Sequence, residues 1–150
     1  MFQYEIEDAT KALTIARSLK NYSPPFTITD RYRLIDNGMD PEATIQIEAN
    51  GNTIHEASTG NGPVDALAKV LKKALTPLFP EIGSIKLIDY RANIIDARRG
   101  TSTDVEVTII FTDGTDVWKV NSLSENINLA SFNVLIDGFE YAILKGREKI

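Results

Sequence analysis

The chain has 150 residues, 43% of them hydrophobic and 25% charged, with a net charge of −5 and a sequence pI near 4.9. That suits one globular domain with a modest core, and offers no global basic field to hold nucleic acid or an anionic membrane. The absence of cysteine excludes disulfides, thiolate metal sites and cysteine nucleophiles.

The opening MFQYEIEDATK carries acids and no long apolar run, which argues against a signal peptide. No stretch approaches the roughly 18 consecutive apolar residues of a membrane span, so a soluble, cytoplasmic protein is expected. In DATKALTIARSLKN (8–21), Ala9, Ala12, Leu13, Ala16 and Leu19 recur at helical spacing behind Asp8, a suitable N-cap. Pro24–Pro25 then ends any helix. Residues 1–25 therefore read as a helical lead-in or linker, and 26–150 as the main domain. FTITDRYRLID (26–36) reads as a strand with Phe26, Ile28, Tyr32 and Leu34 on one face. ATIQIEA (43–49) alternates, Asn50–Gly51 is a hairpin turn and TIHEAST (53–59) is the return strand. A helix is predicted from Pro63 to Leu75, burying Val64, Leu67, Leu71, Ala74 and Leu78, with Lys69, Lys72 and Lys73 on a solvated face.

The order then repeats. SIKLIDYRANII (84–95) is a strand, DARRGTST (96–103) a loop, DVEVTIIF (104–111) a strand, Asp113–Gly114 a turn and TDVWKVNS (115–122) the return. A long helix follows from about 125 to 144. Gly114 lies 63 residues after Gly51, as Trp118 does after His55 and Ile127 after Val64. Upstream of the turn this register slips by one, which a β-bulge would absorb. The expected fold is α+β: two β-β-β-α units, about 26–80 and 84–145, packed face to face after a short N-terminal helix. The last helix is apolar on two sides, one carrying Ile127, Ala130 and Val134, the other Phe132, Leu135, Phe139 and Ile143. It needs two neighbours, and the second is either the lead-in helix or another subunit.

Chemistry is sparse. His55 stands alone, without the partners a metal site needs. No nucleophile–base pair is legible, so neither catalytic residues nor a cofactor or metal site are expected. Arg98–Arg99 beside Gly100 is either an anion-holding pair or, more simply, a solvated turn. Gly60-Asn61-Gly62-Pro63 matches no nucleotide fingerprint. It is either a turn with Pro63 at the first helical position, or a helix N-terminus whose free amides receive a carboxylate.

STGNGPVDAL, LIDYRANI, GTSTDVEVTI, DGTDVWKV and SENINLAS, in that order, resemble the C-terminal regulatory domain of 2-isopropylmalate synthase and (R)-citramalate synthase. That domain is also called the LeuA allosteric or dimerisation domain, and the resemblance covers about residues 26–145. It implies two β-β-β-α units with pseudo-twofold symmetry, a homodimer, and feedback inhibition by a branched-chain amino acid, leucine or isoleucine. The inhibited catalytic barrel, an acyl-CoA-condensing synthase domain or subunit, is not among these motifs. The chain alone is expected to be no enzyme, and either a regulatory domain of a larger enzyme or a free-standing relative. The alternative is a purely structural dimerisation module without ligand.

Residue chemistry fits such a ligand: Asn61 and Gly62, next to Pro63, sit where the helix N-terminus presents amides to its carboxylate, and Asp65 can pair with its ammonium. By the resemblance, Leu87, Tyr90 and Ile94, with Thr101 and Val105 beyond the loop and Ile127 at the last helix, line the apolar part. Asp65 can equally be a first-turn acid favoured by the helix dipole, and the aliphatic residues can equally be core. Ser122 stands where the family usually has glycine, and Asn121 where it has an apolar residue. EYAILKG in the last helix leans toward the citramalate synthase branch, hence isoleucine.

Overall fold

The computed structural model describes residues 5–95 and 104–147. The elements are β1 (Ile6–Asp8), α1 (Ala9–Arg17), β2 (Thr27–Ile28), β3 (Arg33–Ile35), β4 (Glu42–Ala49), β5 (Asn52–Thr59), α2 (Pro63–Leu75), a 3-10 turn (Pro80–Ser84), β6 (Lys86–Ile95), β7 (Asp104–Thr112), β8 (Val117–Ser124) and α3 (Ile127–Gly146). They form an α+β fold with two four-stranded sheets. One sheet runs β1-β8-β7-β6; in the other, β4 carries β2 and β3 on one edge and β5 on the other. Helix α2 packs on β4 and β5, α3 packs on β7 and β8, and the two helices pack against each other. The core therefore lies between the sheets, built from alternate residues such as Ala43, Ile45 and Ile47 on β4 and Val107, Ile109 and Phe111 on β7.

The strand expected over 26–36 is two short strands. β2 and β3 pair with the same edge of β4, but the register between Ile28↔Ile47 and Arg33↔Thr44 leaves two extra residues on the outer chain. Two extra residues preserve side-chain parity, so Phe26, Ile28, Tyr32 and Leu34 still pack inward.

Burial and strand pairing recur at a spacing of 64 residues, not 63. Buried Ala66, Val70, Leu71 and Leu75 of α2 recur as Ala130, Val134, Leu135 and Phe139 of α3. The pair Ile47↔Ile54 recurs as Phe111↔Trp118. His55, exposed opposite Gln46, thus corresponds to exposed Lys119 and not to buried Trp118. No bulge is needed to reconcile the hairpins. The one-residue difference arises at the turns, where the glycines hold different positions. Asn50 and Gly51 both have positive φ (53° and 77°), as a type I′ turn requires, whereas in the second turn only its first central residue, Gly114, does (φ 96°).

The lead-in is part of the packed body. β1 pairs in parallel with β8, and Ala9 and Leu13 of α1 are fully buried. The Asp8 carboxylate caps α1 by accepting from the Lys11 N–H at 3.1 Å. Asn121, where an apolar residue was expected, donates its backbone N–H to Thr10 Oγ1 at 3.0 Å. Arg17 reaches Asp137 at 2.7 Å and Glu140 at 3.1 Å on α3, and Tyr22 donates to the buried Glu140.

Helix α3 uses its apolar sides inside the chain, against β7 and β8, α2, α1 and the 3-10 turn. The second neighbour is thus supplied without another subunit. By length and mean hydropathy (1.2) α3 could also cross a membrane, but its burial here accounts for that composition. At Gly138 a Cβ would lie 2.2 Å from the Phe111 ring, and the Gly138 carbonyl accepts from Trp118 Nε1 at 3.2 Å. The missing side chain lets α3 settle onto the aromatic floor of its sheet.

Gly60 plays the matching part for α2. A Cβ there would sit 2.4 Å from the Ala66 backbone nitrogen, whereas one at Gly62 meets nothing within 4 Å. Gly60→Ala is expected to cost about 1–3 kcal/mol, as overpacking does. Gly62→Ala, at an extended N-cap (φ −152°), should stay within about 1 kcal/mol of wild type. Urea unfolding of both variants checks the contrast, and equal losses would contradict it.

Candidate functional site

The candidate site is assembled where α2 begins. β5 ends at Thr59, and the chain turns through Gly60, whose N–H donates to the Pro41 carbonyl at 3.0 Å. Gly62 is the N-cap and supplies no side chain to it, Pro63 is the first helical residue, and Asp65 falls in the first turn. The Asp65 carboxylate reaches back to accept the Asn61 N–H at 2.8 Å and pairs with Lys69 at 3.1 Å. That N–H bond, with Lys69 behind it, holds the Asp65 carboxyl below the usual carboxylate range despite partial burial. The Asn61 amide, expected to face a ligand carboxylate, is therefore already engaged by Asp65.

Strand β6 brings the second wall. Its register against β7 shifts between Leu87 and Asp89, leaving Ile88 as an extra residue. Strict alternation would put Leu87 and Tyr90 on opposite faces. The bulge places both on the face that α3 covers, with Leu87 opposite Phe111 and Tyr90 opposite Ile109. Tyr90 is 38% exposed and leans toward α3, where its hydroxyl meets Ser131 Oγ at 3.0 Å. Ser131 donates its own proton to the Ile127 carbonyl at 2.8 Å, which leaves Tyr90 as the donor in that pair.

Between these walls runs an open groove of about 570 Å³. Val64, Asp65 and Ala68 of α2 face Leu87 and Tyr90 of β6 across it, and Lys69, Lys72 and Lys86 stand at its sides. Lys72 is not the solvated residue expected. Its ammonium donates to the Ile85 carbonyl at 2.8 Å, and desolvation together with Lys86 holds it below the ordinary lysine range. The groove thus offers an apolar floor, one carboxylate and three ammonium groups. An anion placed beside Lys72 and Lys86 would relieve their mutual repulsion.

Of the expected site residues, Asp65, Leu87 and Tyr90 line this groove. Asn61, Gly62 and Pro63 lie just before it in the chain without lining it. Ile94 and Val105 pair with each other farther along the same sheet face, and Ile127 sits at the first turn of α3, linked to Tyr90 through Ser131. None of these three enters the groove, and Ile94 is 73% exposed. Thr101 lies outside the described residues, as do Arg98 and Arg99. Sequence reasoning passed over Val64, Ala68, Lys72 and Ser131. Lys72 could have been found from its three-residue spacing after Lys69, whereas Ser131 needed the tertiary contact. A second groove of about 570 Å³, lined by 23–27, Glu48–Gly51 and Arg147, is polar and holds none of the expected residues.

The family model of the LeuA allosteric (dimerisation) domain matches residues 5–143. (R)-citramalate synthase of Geobacter sulfurreducens is 34% identical over 153 aligned residues, covering 98% of this chain and 29% of that protein. The (R)-citramalate synthases of Aquifex aeolicus and Streptomyces coelicolor are 35% and 31% identical, covering 99% and 96% of this chain. The chain spans about 29% of the length of such relatives. A match over nearly all of its residues places the chain in the LeuA allosteric (dimerisation) domain family.

Proposed function

We propose that the chain is an effector-binding regulatory domain. In this reading it takes a branched-chain amino acid, isoleucine or leucine, into the groove between α2 and β6 and thereby inhibits a catalytic barrel. The observation that carries it is the convergence of Asp65, Leu87 and Tyr90 on one groove with three lysines. A zwitterionic aliphatic amino acid needs an acceptor for its ammonium, donors for its carboxylate and an apolar surface for its side chain. Asp65, the lysine pair Lys72 and Lys86, and the Leu87–Tyr90 floor supply these in turn. Isoleucine is favoured because the similar proteins are (R)-citramalate synthases, on whose side the EYAILKG helix also falls. The domain works as a homodimer, in keeping with the family's dimerisation role, and the barrel it would control is not part of these 150 residues.

One observation favours the alternative of a structural module without ligand. Asp65 is already satisfied by the Asn61 N–H and Lys69. Under that alternative the acid only fastens the start of α2.

A thermal-shift panel over the twenty amino acids tests the proposal. Isoleucine or leucine at a hundred times its dissociation constant should add about 2.7 kcal/mol of stability, a rise of about 5–10 °C for a chain of this size. Tyr90→Ala should fold, because the ring is partly exposed, and should lose most of that rise. No shift with any amino acid would leave the structural module standing.

Asp65→Asn separates the two roles of the acid. The folded-state pKa of Asp65 is depressed, so its contribution is present above the unfolded value and is lost as pH falls through the folded one. The variant should lose about 0.5 kcal/mol at neutral pH, and the difference should vanish in acid, where both side chains are neutral. If the carboxylate also receives the ligand ammonium, isoleucine binding at neutral pH should weaken ten-fold or more. Calorimetric titration showing unchanged affinity would assign Asp65 to the helix start alone.

A further inference from the structure

β6 is the edge strand of its sheet, and among the described residues it pairs with β7 alone. A row of N–H and C=O groups therefore faces outward along a ten-residue strand. Its last six residues, Tyr90 to Ile95, are exposed, and they point alternately to both faces. Four of the twelve exposed large apolar side chains among the described residues lie on it: Ile88, Tyr90, Ile94 and Ile95. Edge strands of monomeric proteins are commonly blunted by charge, proline or a covering element. One edge strand of the other sheet, β5, shows Thr53, His55, Ala57 and Thr59 to solvent and no large apolar side chain. β6 sets its charged residues Lys86, Asp89 and Arg91 among four exposed large apolar side chains. The bulge at Ile88 disturbs only its start and leaves 89–95 in regular register.

We infer that β6 joins antiparallel to β6 of a second copy, with Tyr90 at the twofold axis, so that two four-stranded sheets become one of eight. The inference rests on the homodimer reading above and names its surface. Two identical strands related by a twofold axis lying across their shared edge must run antiparallel. Charge then selects the register. With Tyr90 opposite Tyr90 of the partner subunit, Asp89 stands opposite Arg91 of the partner subunit, and the reverse holds across the axis. Centring the pair one residue either way would oppose Asp89 to Asp89, or Arg91 to Arg91. Asp89 and Arg91 already pair at 3.0 Å within one chain, so the join closes a ring of two acids and two bases. Directly opposed side chains come within about 4.5–5.5 Å at Cβ, which brings the exposed Tyr90 side chains of the two copies together at the axis. The groove beside Tyr90 is thereby bordered by the partner, and the effector site and the interface share this strand.

Sedimentation velocity on the full chain tests this by charge complementation. The wild type should be dimeric at micromolar concentration. Asp89→Arg and Arg91→Asp should each associate at least ten-fold more weakly, because like charges then meet across the axis. An equimolar mixture of the two should recover dimer, since a strand with two cations faces a strand with two anions. Ile94→Glu, at an exposed position, should weaken the dimer while leaving the circular dichroism of the monomer unchanged. A monomeric wild type would overturn the homodimer reading and this inference with it. A dimeric wild type whose three variants dimerise equally well would overturn the β6 interface and leave the homodimer standing. A mixture no more associated than its components would overturn the Asp89–Arg91 register.

Discussion

The structure turns on how closely the chain passes the start of α2. At Gly60 the backbone leaves β5 and lies against the first turn of the helix so tightly that any side chain would strike the Ala66 nitrogen. That contact fixes where α2 begins and which way Asp65 projects. Everything on the functional side follows from it: Asp65 reaches back to the Asn61 N–H, Val64 and Ala68 face β6, and Lys72 arrives at the Ile85 carbonyl. Gly138 does the same for α3 on the ring of Phe111. Two helices held this close to their neighbours leave the intervening groove little freedom of shape, because packed interiors do not deform continuously.

Much of this was legible in the sequence, for a physical reason. Amphipathic periods and turn chemistry are local signals, and they located α2 to the residue and both hairpins nearly so. What failed were quantities set by geometry between elements. Glycine is permissive at either central position of a two-residue turn, so matching Gly51 to Gly114 shifted the repeat by one and paired His55 with the wrong residue. The lead-in looked detachable because its apolar stripe is short, yet Arg17 and Tyr22 bind the buried Glu140 and anchor it to α3. The bulge at Ile88 has no sequence signature of its own, and without it Leu87 and Tyr90 could not share a wall. Of the residues expected in the site, Asp65, Leu87 and Tyr90 line one groove. The resemblance also named Ile94 and Val105, which pair with each other farther along the same sheet face, and Ile127 in the first turn of α3.

Tyr90 belongs at once to the groove, to the edge strand and, through Ser131 and the Ile127 carbonyl, to the first turn of α3. Helix α3 is bound in turn to the lead-in by the Arg17 and Tyr22 contacts. A ligand that moved the Tyr90 ring would bias three connected elements together. Transmission of that kind requires that the ligand bind the two arrangements with different affinity, and the hydroxyl contact to Ser131 is the place where such a difference can arise.

Whether the groove between α2 and β6 receives the effector is tested most directly by amide chemical-shift mapping of the labelled chain during titration with isoleucine. The largest saturable changes should fall on residues 61–72 and 85–90, with a smaller set around Ser131. Changes concentrated instead at the polar groove near Glu48–Gly51, or along α1, would contradict the account, as would a spectrum unaltered by either isoleucine or leucine.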